Sequence, residues 1–77
     1  MNEELKQRIF SIIKGKTGIN LSKIDPDRDI QEQTTLDSIH VVGIITEIEK
    51  ELNIQLPISV LEVSTVNEFL AIVEKEL

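Results

Sequence analysis

The amino-acid sequence predicts an all-α fold in which three long helices and one short third helix form a single small domain, residues 1–77. Apolar residues recur every three or four positions along most of the chain, which is the spacing of amphipathic helices rather than of strands. A chain of 77 residues has the size of one domain, and 40% hydrophobic residues are enough to build a core.

The first helix is expected from about residue 3 to about residue 15, followed by a long connection. Its apolar positions are Leu5, Ile9, Ile12 and Ile13. Either Gly15 or Gly18 supplies the stop. From residue 16 to residue 36 the helical pattern dissolves, and so long a structureless connection is uncommon in a compact domain. We therefore expect either a turn of helix near residues 20–24 or a functional loop.

The second helix should begin at Asp37 or Ser38 and end at Glu51 or Leu52. At about 100° per residue, one stripe of this helix is apolar and should face the core. The stripe consists of Val41, Ile44, Ile45, Ile48 and Leu52. Ile39 lies nearly opposite it, and Val42 lies on its flank.

The last part of the chain predicts a short third helix and a final long one. Pro57 suits the first turn of the short helix, which should extend to about Val63. The final helix should open at Thr65, because Thr65 and Glu68 have the spacing of a capping box. Its buried stripe is expected to be Val66, Phe69, Leu70, Val73 and Leu77.

The distribution of charge limits the kind of partner. The formal net charge is −6, and all of it arises in residues 37–77, which hold eight acids and two bases. Such a field repels nucleic acid and anionic membranes and attracts basic protein surfaces. No segment has the apolar length of a membrane span or a signal sequence, so we expect a cytoplasmic protein.

No catalytic or metal site is predicted. Asp37, Ser38 and His40 have the residue types of a hydrolase triad, but Ser38 and His40 point about 200° apart on one helix. With one histidine and no cysteine, the chain offers no zinc site and no thiol of its own.

A second acidic motif imitates the start of a calcium loop. Asp25, Asp27 and Asp29 occupy alternate positions, as the first ligands of such a loop would. However, Ile30 stands where the loop needs glycine, and Leu36 stands where it needs a bidentate glutamate. We therefore predict no calcium site.

Ser38 is the remaining candidate, as an acceptor of chemistry performed by another protein. Backbone N–H groups in the first turn of a helix favour an anion such as a phosphate ester. The alternative is that Ser38 or Asp37 only caps the helix. Capping does not explain the exposed Ile39 and Val42 or the helix-weakening Gly43, which together indicate a docking surface.

These motifs resemble those of the acyl carrier proteins and their peptidyl and aryl carrier relatives. The resemblance covers nearly the whole chain and depends on "LDSI" at residues 36–39, the helix ending "EIEKELNI", Leu56-Pro57 and "STV" at residues 64–66. It implies an acyl-carrier-like four-helix bundle that is not an enzyme. It also implies that a phosphopantetheinyl transferase attaches 4'-phosphopantetheine from coenzyme A to Ser38, and that the thiol of this arm carries acyl, aminoacyl or aryl groups as thioesters.

The resemblance further implies which residues face the partners. Asp37 would help the Mg²⁺-dependent transferase, and residues of the following helix would meet acyl-loading and acyl-processing enzymes with basic docking surfaces. These residues are Ile39, His40, Val42, Gly43, Thr46 and Glu47. His40 and Gly43 replace the acids usual in housekeeping fatty-acid carriers, which weakens the attraction to basic surfaces at those two positions.

Two further expectations concern assembly and pathway. We expect a monomer dedicated to one pathway, of a polyketide, aryl, peptidyl or envelope-related kind, rather than the general carrier of fatty-acid synthesis. The alternative function is a small acidic helical module that binds a partner through Ile39 and Val42 and is never modified.

Overall fold

The computed structural model describes residues 2–77, and these residues form helices and loops without a strand. The α-helices are α1 (Glu3–Thr17), α2 (Ile30–Gln33), α3 (Ser38–Leu52) and α4 (Val66–Lys75). Two 3₁₀ segments, Leu21–Lys23 and Ile58–Glu62, lie in the connections. Three long helices and a short helical segment before the last of them confirm the predicted fold class.

The bounds of α1 are set by one side chain and one glycine. Asn2 caps the N-terminus, because its side-chain oxygen accepts hydrogen bonds from the N–H groups of Glu4 and Leu5. Gly18 ends the helix with φ 77°, in the left-handed region that favours glycine, and its N–H donates to the Lys14 carbonyl. The helix therefore ends at Gly18, the second of the two candidate stops.

The long connection after α1 contains more structure than the pattern indicated. The 3₁₀ segment Leu21–Lys23 confirms the expected turn near residues 20–24. Helix α2 is an addition, because four residues are too few to show a hydrophobic period. It is held in place by a hydrogen bond of 2.7 Å from the Ile30 N–H to the Ser64 carbonyl, which links it to the start of α4.

Helix α3 has the predicted start and end. Asp37 caps it by accepting a hydrogen bond of 3.1 Å from the His40 N–H, and Asn53 ends it with φ 55°. Ile44, Ile45 and Ile48 are buried, while Val41 and Leu52 at the edges of the stripe are partly buried. The apolar stripe therefore faces the core as predicted.

The third predicted helix is a single stretch of 3₁₀ helix, and α4 ends before Leu77. Pro57 precedes the segment Ile58–Glu62 rather than lying in its first turn. Thr65 and Glu68 form the predicted capping box at the start of α4. The prediction that Leu77 is buried is wrong, because α4 ends at Lys75 and leaves that side chain 58% exposed.

The core lies between α1, α3 and α4 and is closed on one side by the segment Ile58–Glu62. Its most buried side chains come from all four elements: Ile9, Ile13, Ile48, Val60, Val66 and Val73. All the core side chains are apolar, and most are aliphatic. This core fixes the position of the N-terminal end of α3, where the candidate residue lies.

Candidate functional site

Ser38 is the first residue of α3, and its side chain is exposed. Asp37 directly precedes Ser38, and its carboxylate accepts a hydrogen bond from the N–H of His40, the third residue of the helix. Helix geometry leaves the N–H groups of Ser38 and Ile39 without an acceptor inside the helix. An anion joined to the Ser38 hydroxyl would lie at this positive end of the helix dipole, which stabilises a negative charge by about 0.3–1 kcal/mol.

The Asp37 carboxylate beside Ser38 is held by a side chain as well as by the backbone. The Nδ1 atom of His40 lies 3.3 Å from the Asp37 Oδ1 atom that also caps α3. His40 therefore interacts with Asp37 and not with the Ser38 hydroxyl, as expected for two residues on opposite sides of a helix. This arrangement positions a carboxylate next to the candidate acceptor residue.

Ser38 also lies on the edge of an apolar cavity of about 410 Å³. The cavity lies between α2, α3 and the segment Ile58–Glu62, and it extends inward to the buried side chains of Ile44 and Val60. Four of its sixteen lining residues are polar: Asp29, Gln31, Ser38 and Ser64. A group attached to Ser38 therefore has an apolar space within reach.

The cavity itself was not predicted from the sequence, although Ile13, Ile44 and Phe69, which line it, were expected in the core. Ile30 belongs to the unpredicted α2, and Leu36 is a buried residue just before the Asp37 cap. Leu61 lines the cavity from the 3₁₀ segment.

The face of α3 that was expected to meet partners is open for most of its length. Ile39 is 81% exposed and Val42 is 54% exposed. The Thr46 hydroxyl is exposed but donates to the Val42 carbonyl at 3.0 Å. A Cβ added to Gly43 would meet nothing within 4 Å. The chain therefore presents a largely apolar strip beside Ser38.

The acids in the second half of α3 contact groups of the same chain. The Glu47 carboxylate lies 3.8 Å from the Lys16 Nζ atom of α1, and the Glu51 carboxylate lies 3.6 Å from Nη2 of Arg8. Glu49 accepts a hydrogen bond of 2.8 Å from the Leu56 N–H. The Glu47 carboxylate, which a partner was expected to contact, therefore lies beside the Lys16 ammonium group of α1.

The acidic stretch of residues 25–29 has structural partners. Asp25 accepts a hydrogen bond from the Asp27 N–H, and Asp29 caps α2 by accepting from Gln31. Asp27 accepts from the Asn67 side chain at 2.6 Å, which ties the connection to α4. Within residues 2–77, no group of histidine, cysteine and acidic side chains could hold a metal ion, and no helix has the length and apolarity to cross a membrane.

Comparison with known proteins identifies relatives of this chain. Residues 7–73 match the family described as "Phosphopantetheine attachment site". The chain is 33% identical over 54 residues to the acyl carrier protein of Chlorobium phaeovibrioides, which covers 70% of this chain and 69% of that protein. It is 28% identical over 76 residues to the acyl carrier protein of Thermotoga maritima, which covers 97% and 94%.

A third relative is named a D-alanyl carrier protein rather than an acyl carrier protein. The chain is 36% identical over 53 residues to the D-alanyl carrier protein of Lactococcus lactis, which covers 69% of this chain and 67% of that protein. No solved structure matches the chain. The family match does not favour an unmodified interaction module. The chain belongs to the acyl carrier protein family, whose members are carriers rather than enzymes and bear covalently attached phosphopantetheine.

Proposed function

We propose that Ser38 is the residue to which the 4'-phosphopantetheine arm is attached, through a phosphodiester on its side-chain oxygen. The observation that supports this most directly is the position of an exposed hydroxyl in the first turn of α3, beside N–H groups that lack acceptors in the helix. Ser38 also lies within the stretch that matches the family.

The attachment step requires a phosphopantetheinyl transferase, coenzyme A and Mg²⁺. The Ser38 oxygen forms a bond to the phosphorus that bears the pantetheine group, and the pyrophosphate bond of coenzyme A breaks. Adenosine bisphosphate leaves, and the hydroxyl proton passes to the transferase or to water. The arm supplies the thiol that the cysteine-free chain lacks, and this thiol carries the cargo as a thioester.

The cavity favours one class of cargo over another. Its walls are mostly apolar, so they suit the hydrocarbon part of an acyl group. A polar aminoacyl cargo, of the kind named in the Lactococcus relative, would not pair with those walls. We therefore propose that the cargo is an acyl group with an apolar chain, which enters the cavity when no enzyme is engaged.

The proposal also covers the face that partner enzymes contact, the oligomeric state and the location of the carrier. The transferase and the acyl-processing enzymes contact Asp37 and the adjoining face of α3, and the carrier works as a cytoplasmic monomer. The rest of this face is formed by Ile39, His40, Val42, Gly43, Thr46 and Glu47. A net charge of −6 supports the monomer, because like charges keep copies apart.

The test of attachment is a thiol titration. The purified apo-protein has no thiol, because it has no cysteine. After treatment with coenzyme A, Mg²⁺ and a broad-specificity transferase, we expect about one thiol per chain, with a matching rise in intact mass. Ser64→Ala is the matched control, because Ser64 also lines the cavity and should leave the thiol count unchanged. A Ser38→Ala protein that still gains a thiol contradicts the assignment.

A further inference from the structure

One oxygen of the Asp37 carboxylate contacts two different groups of His40. The Oδ1 atom accepts a hydrogen bond of 3.1 Å from the backbone N–H of His40, and it lies 3.3 Å from the Nδ1 atom of the imidazole. Among residues 2–77, no donor forms a hydrogen bond to the other oxygen, Oδ2. The side chains of Asp37 and His40 are 60% and 51% exposed, so an enzyme can reach both of them.

Within the chain, His40 reaches the reaction at Ser38 through Asp37. Successive residues of a helix are rotated by about 100°, so the side chains of Ser38 and His40 project about 200° apart. The imidazole is therefore too far round the helix to contact the Ser38 hydroxyl. Asp37 directly precedes Ser38 in the chain, and its carboxylate is the group that the imidazole contacts.

The imidazole contact restricts a rotation that the backbone cap leaves free. The hydrogen bond from the His40 N–H fixes the position of the Asp37 Oδ1 atom, but the torsion that turns an aspartate carboxylate has a broad distribution. A second contact on the same oxygen narrows that distribution and keeps Oδ2 pointing in one direction. A group that is already ordered loses less conformational entropy when a partner binds it.

We infer, on the basis of the proposed attachment at Ser38 and the proposed contact of the transferase with Asp37, that His40 is a positioning residue for arm transfer. Its imidazole orients the Asp37 carboxylate so that Oδ2 is available to a hydrogen-bond donor of the transferase beside Ser38. His40 acts on the affinity for the transferase and takes no part in the transfer of the phosphopantetheinyl group itself.

The test measures kcat and KM for arm transfer to the full chain by a broad-specificity phosphopantetheinyl transferase with coenzyme A and Mg²⁺. His40→Ala removes the imidazole but keeps the backbone N–H that Asp37 accepts. His40→Asn keeps a side-chain N–H donor, and asparagine has a helix propensity close to that of histidine. Gln55→Ala is the control, because Gln55 is exposed and uncharged and lies beyond the far end of α3.

We expect His40→Ala to raise KM for the carrier by about two- to fivefold, which is the size expected for an exposed pair of this kind. The value of kcat should change little, because the contact contributes to binding. His40→Asn should recover most of the loss, and Gln55→Ala should have the wild-type KM. A wild-type KM for His40→Ala, or a His40→Asn protein as impaired as His40→Ala, overturns the inference.

A double-mutant cycle with Asp37→Asn shows whether His40 acts through Asp37. Asparagine keeps an oxygen that can cap α3 but removes the carboxylate. If the imidazole acts by orienting that carboxylate, His40→Ala should add no further loss in the Asp37→Asn protein. Additive losses would mean that the transferase contacts His40 independently, and a wild-type KM for Asp37→Asn would mean that it does not bind the carboxylate. Either result overturns the inference, as does a loss of helicity in His40→Ala.

The failure of this inference can be distinguished from the failure of the Ser38 assignment. If Ser38 is not the attachment residue, Ser38→Ala still receives the arm, whatever the His40 variants do. If only the positioning inference is wrong, Ser38→Ala receives no arm while His40→Ala is modified with the wild-type KM or with a loss that is additive to that of Asp37→Asn.

Discussion

The replacement of Gly43 by alanine tests whether α3 is open to a partner at that position. Gly43 lies in the middle of α3, and a Cβ built on it meets nothing within 4 Å. The variant therefore introduces no clash and gains the higher helix propensity of alanine. In a helix interior, alanine is about 0.8–1.0 kcal/mol more favourable than glycine.

The expected size of the effect can be checked against the other two glycines. Gly15→Ala also places its Cβ in open space, but the residue lies near the end of α1, where a smaller gain is expected. Gly18→Ala should destabilise the protein by about 1–2 kcal/mol, because Gly18 has φ 77° in the left-handed region. The three variants should therefore rank Gly43→Ala, Gly15→Ala, wild type and Gly18→Ala, from most to least stable.

Urea unfolding followed by circular dichroism measures these free energies, and a thermal scan provides a second measurement. For a domain of this size, a change of 1 kcal/mol shifts Tm by about 4–8 °C. A Gly43→Ala protein less stable than the wild type would refute the reasoning, because it would mean that the glycine permits close packing within the bundle. If partners approach α3 closely at Gly43, the same stabilised variant should receive the phosphopantetheine arm more slowly than the wild type.

Two other predictions concern pH and cargo. Hydrogen bonds from the backbone N–H groups of Ser64 and Thr65 lower the pKa of Glu68 below its ordinary value of 4.5. The ionised Glu68 therefore stabilises the folded protein at pH values above 4.5. This stability is lost as the pH falls through the lower pKa of the folded state. Glu68→Gln should therefore lose less stability than the wild type on acidification below 4.5 in urea unfolding, and parallel pH curves would contradict this. For the cargo, a series of straight-chain acyl thioesters on the arm should raise the free energy of unfolding by about 0.8 kcal/mol for each methylene that enters the cavity. A stability that does not change with chain length would show that the cargo stays outside.

Much of the fold could be predicted because its signals are local. The stripe of Ile44, Ile45 and Ile48 is a periodic pattern on one helix, and the capping box of Thr65 and Glu68 depends on spacing alone. The approximate position of Ser38 could be predicted in the same way, since the Asp37 cap lies directly before it. These features require no knowledge of how distant parts of the chain meet.

The remaining features arise from contacts between distant segments. Helix α2 is too short for periodicity, and its position depends on the hydrogen bond from Ile30 to Ser64. The pairing of Glu47 with Lys16 joins residues thirty-one positions apart, so the sequence alone indicated only a solvent-facing acid. The cavity likewise forms only where α2, α3 and the segment Ile58–Glu62 come together, and no local sequence pattern indicates that arrangement.

Peptide mass spectrometry of the protein after transferase treatment tests the central claim most directly. Cleavage after lysine and arginine yields a peptide of residues 29–50 in which Ser38 is the only serine, while Ser59 and Ser64 lie together in the peptide of residues 51–75. We predict that the arm is found on the first peptide alone, and that fragmentation assigns it to Ser38 rather than to a threonine. An arm on the peptide of residues 51–75, or on a threonine, would contradict the account.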